Sequence, residues 1–487
     1  MTLKQKTTSG FIWSFIDTGA GQGINFITGL ILARLLTPKE FGLIGMIAIF
    51  IAISQSLINS GFSQALIRKQ NCTQTDYSTV FYFNIIVGVF FYFLLFVLAE
   101  PISDFYHEPI LRDLIRALGL GLIINSLTII QTTILTKRID FKLQAKISVT
   151  ASIVAGVISI YMAYTGWGVW SLVAQNLLKY TINSLLLWFW NKWIPIWVFS
   201  KQSFRELFSF GSKLLISGLI DTIYNNIYYL VIGKYFSAIE LGYYTRADQF
   251  QALSSSNLNA VIGRVSFPIL VSIQSDTVQL KAAYRKLIRS TMLITFVLML
   301  GMAAVAKPMI LTLIGAKWLP SVILLQMLCF IGMLYPLQAL NLDMLNVQGR
   351  SDLFLRLEII KKTIAIPVIV IGVLFGIKIM IVGMFVSSIF AYYLNSYYSG
   401  KLIGYSMLNQ MKDIFPSFLM ASVMAVIVYA EGVFMHVSSL PLLIIQCMTG
   451  ASLIVGICEV IRFNDYLYIK VLIKDVIHKK TISINHG

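Results

Sequence analysis

Residues 30–44, LILARLLTPKEFGLI, return two hundred positions later as 230–244, LVIGKYFSAIELGYY. Leu30 pairs with Leu230, Glu40 with Glu240 and Gly42 with Gly242; Arg34 is echoed by Lys234 and, further back, Asn25 by Asn225. Apolar segments resemble one another by composition alone, but charged residues and glycines do not recur for that reason. Each copy joins the end of one long apolar run to the start of the next. Six runs separate the copies, an even number, so both have the same orientation. That is a parallel repeat, whose halves are expected to be related by a pseudo-twofold axis along the membrane normal.

Working outward, the whole chain reads as apolar runs joined by short polar links. Of its 487 residues 57% are hydrophobic and 12% charged, against about 25% charged in soluble domains. The mean hydropathy is +0.79, so the solvent for most of the chain is lipid. Fourteen runs are long enough to span, near 11–35, 41–66, 78–99, 113–135, 147–165, 168–190, 207–235, 241–271, 288–314, 320–347, 360–376, 379–399, 414–433 and 438–461. The run 360–376 is the shortest. The first is too long for the apolar core of a cleaved signal peptide and lacks a clear cleavage site. The expected fold is therefore an all-α integral membrane protein of about fourteen transmembrane helices. It has an N-terminal six-helix lobe (1–200), a C-terminal six-helix lobe (201–405), and two extra helices with a tail (406–487). Two parallel lobes of this kind rock about a central cavity in transporters.

The links alternate in charge along all fourteen runs. One side collects 27 of the 38 basic residues, including Lys4, Lys6, Arg68, Lys69, Lys137, Arg138, Arg285, Lys286, Arg289, Arg350 and Lys401; the other holds nine, and its link with Glu100, Asp104 and Glu108 is acidic. Cytoplasmic loops collect Lys and Arg, so both termini are expected to face the cytoplasm. The net charge of +17 is thus a matter of topology. No basic stretch is long enough to form a nucleic-acid-binding domain. Cys72, Cys329, Cys447 and Cys458 form no CxxC pair, and the four histidines form no ligand cluster, so neither a metal nor a cofactor is expected. No nucleotide-binding motif or nucleophile triad appears, which points away from an enzyme.

Polar residues inside the runs need a reason, since a charge at the bilayer centre costs roughly 2.5–3.5 kcal/mol on insertion scales. The first run carries Ser14, Asp17, Thr18, Gln22, Asn25 and Thr28, largely on one side; the seventh carries Ser217, Asp221, Asn225 and Tyr228; the second adds Gln55 and Asn59. Such faces line either a hydrated cavity or helix contacts. In the eighth run Arg246 and Arg264 are 18 residues apart, five turns and ~27 Å along one face, with Gln249 and Asn257 near the same line. They are either interfacial anchors or donors to an anionic headgroup. Lys179 lies near the middle of the sixth run, paired to an acid such as Asp221 or facing substrate. Asp17 and Asp221 are candidate coupling-ion or cavity acids. Asp343, with Asn341 and Asn346, is expected as a solvated residue at the inner mouth.

Several stretches together resemble a known family. LLTPKEFGLIGM (35–46), GFSQALIRK (61–69), TKRIDFK (136–142), GVWSLVAQ (168–175), LGYYTRADQF (241–250), GRVSFPILVSIQSD (263–276) and GRSDLFLRLEI (349–359) look like signatures of Wzx-type polysaccharide exporters, on the colanic-acid branch. The resemblance spans roughly 8–400, in order; the last two runs and the tail match nothing diagnostic. It implies the multidrug/oligosaccharidyl-lipid/polysaccharide exporter superfamily, with two six-helix lobes around a V-shaped cavity. It also implies a substrate, undecaprenyl diphosphate carrying an oligosaccharide repeat unit, moved between leaflets by alternating access for O-antigen, capsule or exopolysaccharide assembly. Polysaccharide polymerase and export machinery would be the partners. The family's use of cavity cations for the diphosphate transfers only as a type, onto Arg264 and Lys179. Cation-coupled drug efflux on the same fold would predict acidic midplane residues instead. A membrane polysaccharide polymerase would place a large catalytic loop outside, and the outward link near 100–112 is short.

Overall fold

The computed structural model describes residues 3–59 and 61–471, with side chains described except at 3–18, 213, 256–266 and 351. It contains helices and no strands among the described residues. In chain order these are α1 (Leu3–Leu35), α2 (Pro38–Asn59), α3 (Phe62–Arg68), α4 (Gln74–Tyr106), α5 (Ile110–Lys137), α6 (Phe141–Tyr164), α7 (Trp170–Asn191) and α8 (Lys201–Tyr235). There follow α9 (Ala238–Ser272), α10 (Thr277–Leu313), α11 (Pro320–Val347), α12 (Ser351–Phe375), α13 (Ile377–Ile403), α14 (Met407–Phe434) and α15 (Ser439–Val460). A long helix stands at each of the fourteen apolar runs. Ten of the described helices are long and apolar enough, by length and composition, to cross a membrane. The protein is an all-α, multi-pass membrane protein. Helices suit lipid because each satisfies its own backbone polar groups where no water can.

The chain forms two compact units, Met1–Gly242 and Tyr243–Gly487. In the first, α4 packs on α5, α6 lies between α1 and α7, and α5 also meets α7. There α8 packs along α2 and α3. In the second unit, α10 is central, flanked by α11, α14 and α15, while α13 lies against α11 and α12. The short run read at 360–376 is the C-terminal part of a 25-residue helix that begins at Ser351. It ends at Gly376, whose φ of 103° lies in the region glycine tolerates and side chains resist. The same residue caps the start of α13.

The repeat has an exact structural counterpart. Helix α1 ends at Leu35 and α8 at Tyr235; α2 starts at Pro38 and α9 at Ala238. The conserved offset is explained by helix capping. Thr37-x-x-Glu40 and Ser237-x-x-Glu240 both have the Ser/Thr-x-x-Glu spacing of a capping box. The Thr37 N–H donates to Glu40 Oε2 at 2.6 Å, and the Glu240 N–H donates to Ser237 Oγ at 3.1 Å.

The repeated glycines meet reciprocally. A Cβ built on Gly42 would lie 1.6 Å from the Ala238 carbonyl oxygen, and one built on Gly242 would lie 1.9 Å from the Pro38 carbonyl oxygen. Each helix start therefore rests its backbone on the other's glycine, the self-complementary pattern a twofold relation produces. Two cations close the same end of the unit: Lys39 pairs with Glu108 at 2.9 Å, and Lys234 donates to the Phe105 carbonyl. At the opposite end Lys69 bridges Asp76 (3.2 Å) and Glu206 (3.0 Å). Burial pulls the Lys69 ammonium down, but its hydrogen bonds to Glu206 and Asp76 outweigh this and hold it above the usual lysine value.

Neither glycine of the pair has room for a methyl group. Gly42→Ala or Gly242→Ala should each destabilise the protein by roughly 1–3 kcal/mol or more, as overpacking does. The double variant should cost less than the sum, because the first substitution already parts the two backbones. Melting of the detergent-purified single and double variants checks both statements; additive costs would disprove the reciprocal contact.

Candidate functional site

Within the first unit, polar side chains gather where α2, α5, α7 and α8 approach. Gln55 of α2 donates through Nε2 to the Tyr180 hydroxyl of α7 at 2.9 Å. Tyr180 lies over Gly121 of α5, where a Cβ would stand 3.2 Å from the ring. A larger residue at 121 would push the ring away, so a glycine on one helix sets the position of a hydroxyl on another. Tyr180 is ten residues into α7, or ~15 Å along a helix of ~33 Å, hence close to mid-span. Lys179 precedes it and is half-buried. Asn176, one turn earlier, is tied down by its donation to the Leu172 carbonyl at 2.9 Å.

On α8, Gly218 faces Ser56 of α2, with Ser56 Oγ 3.9 Å from the position of a Cβ. Asp221 and Asn225 follow at spacings of three and seven on that helix, and both are exposed. The side of α8 turned toward α2 at Gly218 thus continues as an open polar stripe. Helix–helix contact accounts for Gln55, whereas Asp221 and Asn225 are left accessible.

In the second unit, Arg246 is half-buried, and its Nη1 donates to Gln249 Oε1 at 2.6 Å, one turn along α9. Gln249, placed near the arginine line by spacing, thus accepts from one end of the guanidinium. The remaining candidates, Arg264, Asn257 and Asp17, lie outside the residues whose side chains are described.

Sequence reading missed Tyr180. Its signal was faint: an aromatic beside a lysine in an apolar run is usually packing. It also misplaced the polar group around Asn341. Expected as a solvated mouth residue, Asn341 is fully buried. Its Nδ2 donates to Gln410 Oε1 at 3.0 Å, and its Oδ1 accepts from Ser399 at 2.6 Å. Tyr392 also donates to Gln410 Oε1, at 3.2 Å. This knot joins α11, α13 and α14. Its logic is that a polar group deprived of water must find protein partners, and helix spacing alone does not reveal which helices supply them.

The polysaccharide biosynthesis protein family matches residues 31–323. The chain belongs to that family. Its span takes in both copies of the repeat and the cluster around Tyr180. The chain is 27% identical over 378 residues to the lipopolysaccharide biosynthesis protein WzxC of Escherichia coli (strain K12), covering 76% of each chain. It is 26% identical over 354 residues to the teichuronic acid biosynthesis protein TuaB of Bacillus subtilis (strain 168), covering 72% of this chain and 73% of that one. Its fold is that of a structure of the lipid II flippase MurJ in an inward closed conformation. The TM-score is 0.77 at 15% identity, over 94% of this chain and 100% of that one. The resemblance to Wzx-type exporters of the multidrug/oligosaccharidyl-lipid/polysaccharide superfamily is therefore borne out.

The Gln55–Tyr180 bond makes a specific demand. Tyr180→Phe and Gln55→Leu should each cost about 1 kcal/mol, since each leaves a partner unsatisfied. The double variant should recover part of that loss. A thermal-melt double-mutant cycle with no coupling would show that the bond does not contribute.

Proposed function

We propose that this polysaccharide biosynthesis protein flips a lipid-linked oligosaccharide from the inner to the outer leaflet of the bacterial inner membrane. Undecaprenyl diphosphate is the carrier, and the repeat units feed O-antigen, capsule or exopolysaccharide assembly. The observation that carries the proposal is membership of the polysaccharide biosynthesis family across 31–323. The parallel repeat fits this task, because like-oriented halves can alternate access around a path between them. The charge bias of the links supports cytoplasmic termini, and the lobes follow the repeat, 1–200 and 201–405. Polymerase and export machinery downstream are the expected partners.

Transport needs no covalent chemistry from the protein, and we assign it no enzymatic step. The diphosphate asks for cations near mid-span. Lys179, half-buried and near the middle of α7, is the residue we assign to it first. Arg264 is assigned from its position in the sequence, and Arg246, held by Gln249, serves further along α9. Gln55, Asn225 and Asn257 offer hydrogen bonds to sugar hydroxyls. Asp221 and Asp17 are the acids available to a coupling ion. Drug efflux on this fold would call for an acid at the position Lys179 occupies.

Deleting the gene should make a lipid-linked saccharide accumulate in the inner leaflet, identified by mass spectrometry of extracted lipid. No accumulation, together with new drug sensitivity, would instead favour efflux. Lys179→Ala and Arg264→Ala should each reduce polymer export at least tenfold at normal protein level, with partial recovery in Lys179→Arg. Undiminished export from either alanine variant would remove that residue from the path.

A further inference from the structure

Beside the start of α10, the second unit carries an open cavity of about 600 Å³, within the roughly 300–1,000 Å³ typical of ligand sites. Arg285, Lys286 and Arg289 of α10 stand on one side; a further helical segment over 464–471 forms the other. Two of the cations are committed. Arg285 grips Asp413 through Nε and Nη2, both at 2.5 Å, and the Tyr405 hydroxyl donates to the same carboxylate at 2.7 Å. Arg289 Nε donates at 3.1 Å to Asp465, whose side chain is only 5% exposed. Burial pushes the Asp465 carboxyl above its ordinary range, with Arg289 pulling it back.

Lys286 differs. Its Nζ lies 3.6 Å from the centroid of the Tyr468 ring, and among the described residues it has no carboxylate partner. A ring orients an ammonium without cancelling its charge. Arg285, Lys286 and Arg289 thus meet one lining carboxylate, Asp465, and Asp413 beside the cavity, which leaves one positive charge over. The rest of the cavity wall is Asn464 and an apolar stretch of Ala282, Leu467 and Val471. A cation held at the rim of an apolar wall suits an amphiphile with a monoanionic head.

We propose that this cavity binds the phosphate headgroup of an anionic membrane phospholipid. The phosphate sits against Lys286, and the glycerol and first methylenes lie along Ala282, Leu467 and Val471. The lipid thereby fastens the 464–471 segment to α10. Which leaflet supplies it rests on the orientation proposed above; the binding chemistry does not.

Binding can be measured without transport, so a failure here is distinct from a failure of the flippase reading. The full chain, purified in detergent, is titrated with phosphatidylglycerol, with phosphatidylcholine and with inorganic phosphate, and bound lipid is followed by native mass spectrometry. Phosphatidylglycerol should bind more tightly than phosphatidylcholine, and equal concentrations of inorganic phosphate should not displace it. Lys286→Gln, at an exposed position, should weaken phosphatidylglycerol about fivefold, the factor expected for one basic residue at an anionic surface, and leave phosphatidylcholine unchanged. Val471→Glu, which sets a carboxylate on the apolar wall, should weaken phosphatidylglycerol as well. Equal affinity for the two lipids, or unchanged affinity in both variants, overturns the proposal. Displacement by inorganic phosphate overturns the lipid as its source.

Discussion

Lipid tails are as apolar as leucine, so helices in a bilayer gain little from burying apolar side chains against one another. They associate through close backbone approach and through polar pairs. This constraint governs how the chain packs. At Gly42 and Gly242 two helix starts lie so close that a carbonyl oxygen takes the space of a methyl group. Gly61 receives the Gly211 carbonyl in the same way, and Gly156 takes the Thr28 hydroxyl. Where side chains intervene, they are paired. Asn341, Gln410 and Ser399 knot three helices of the second unit, and Gln446 donates to the Val428 carbonyl at 2.7 Å to join α14 and α15.

The same constraint explains why the polar stretches of this protein divide into two kinds. Some, such as Gln55 and Asn341, act as adhesive between helices. Others, such as Asp221 and Asn225, are exposed in the middle of a long helix, where a polar group is costly against lipid. A hydrated path is the environment in which they are tolerated.

Basic residues divide in a parallel way. Topology accounts for their side-to-side bias, yet many also perform local work. Lys69 spans two acids, Lys137 donates to the Leu66 carbonyl at 3.0 Å at the end of α3, and Lys234 sits on Phe105. A count of cations along the sequence therefore says little about how many are uncommitted.

The sequence alone determined the membrane class, the helices at all fourteen runs, the repeat with its offset and the family, because each is written in local composition or in spacing along one chain. Glu40 and Gly42 were legible as a repeated pair because capping and close packing act within a few residues. Tertiary structure decided what those letters do. That Gly42 and Gly242 face each other, that Tyr180 answers Gln55 and that Asn341 is buried beside Gln410 all depend on which helices become neighbours. Neighbour choice is a property of several faces at once. A helix shows its own stripe in sequence, but its partner's stripe lies a hundred or more residues away, and the apolar solvent gives no hydrophobic signal to say which side turns inward.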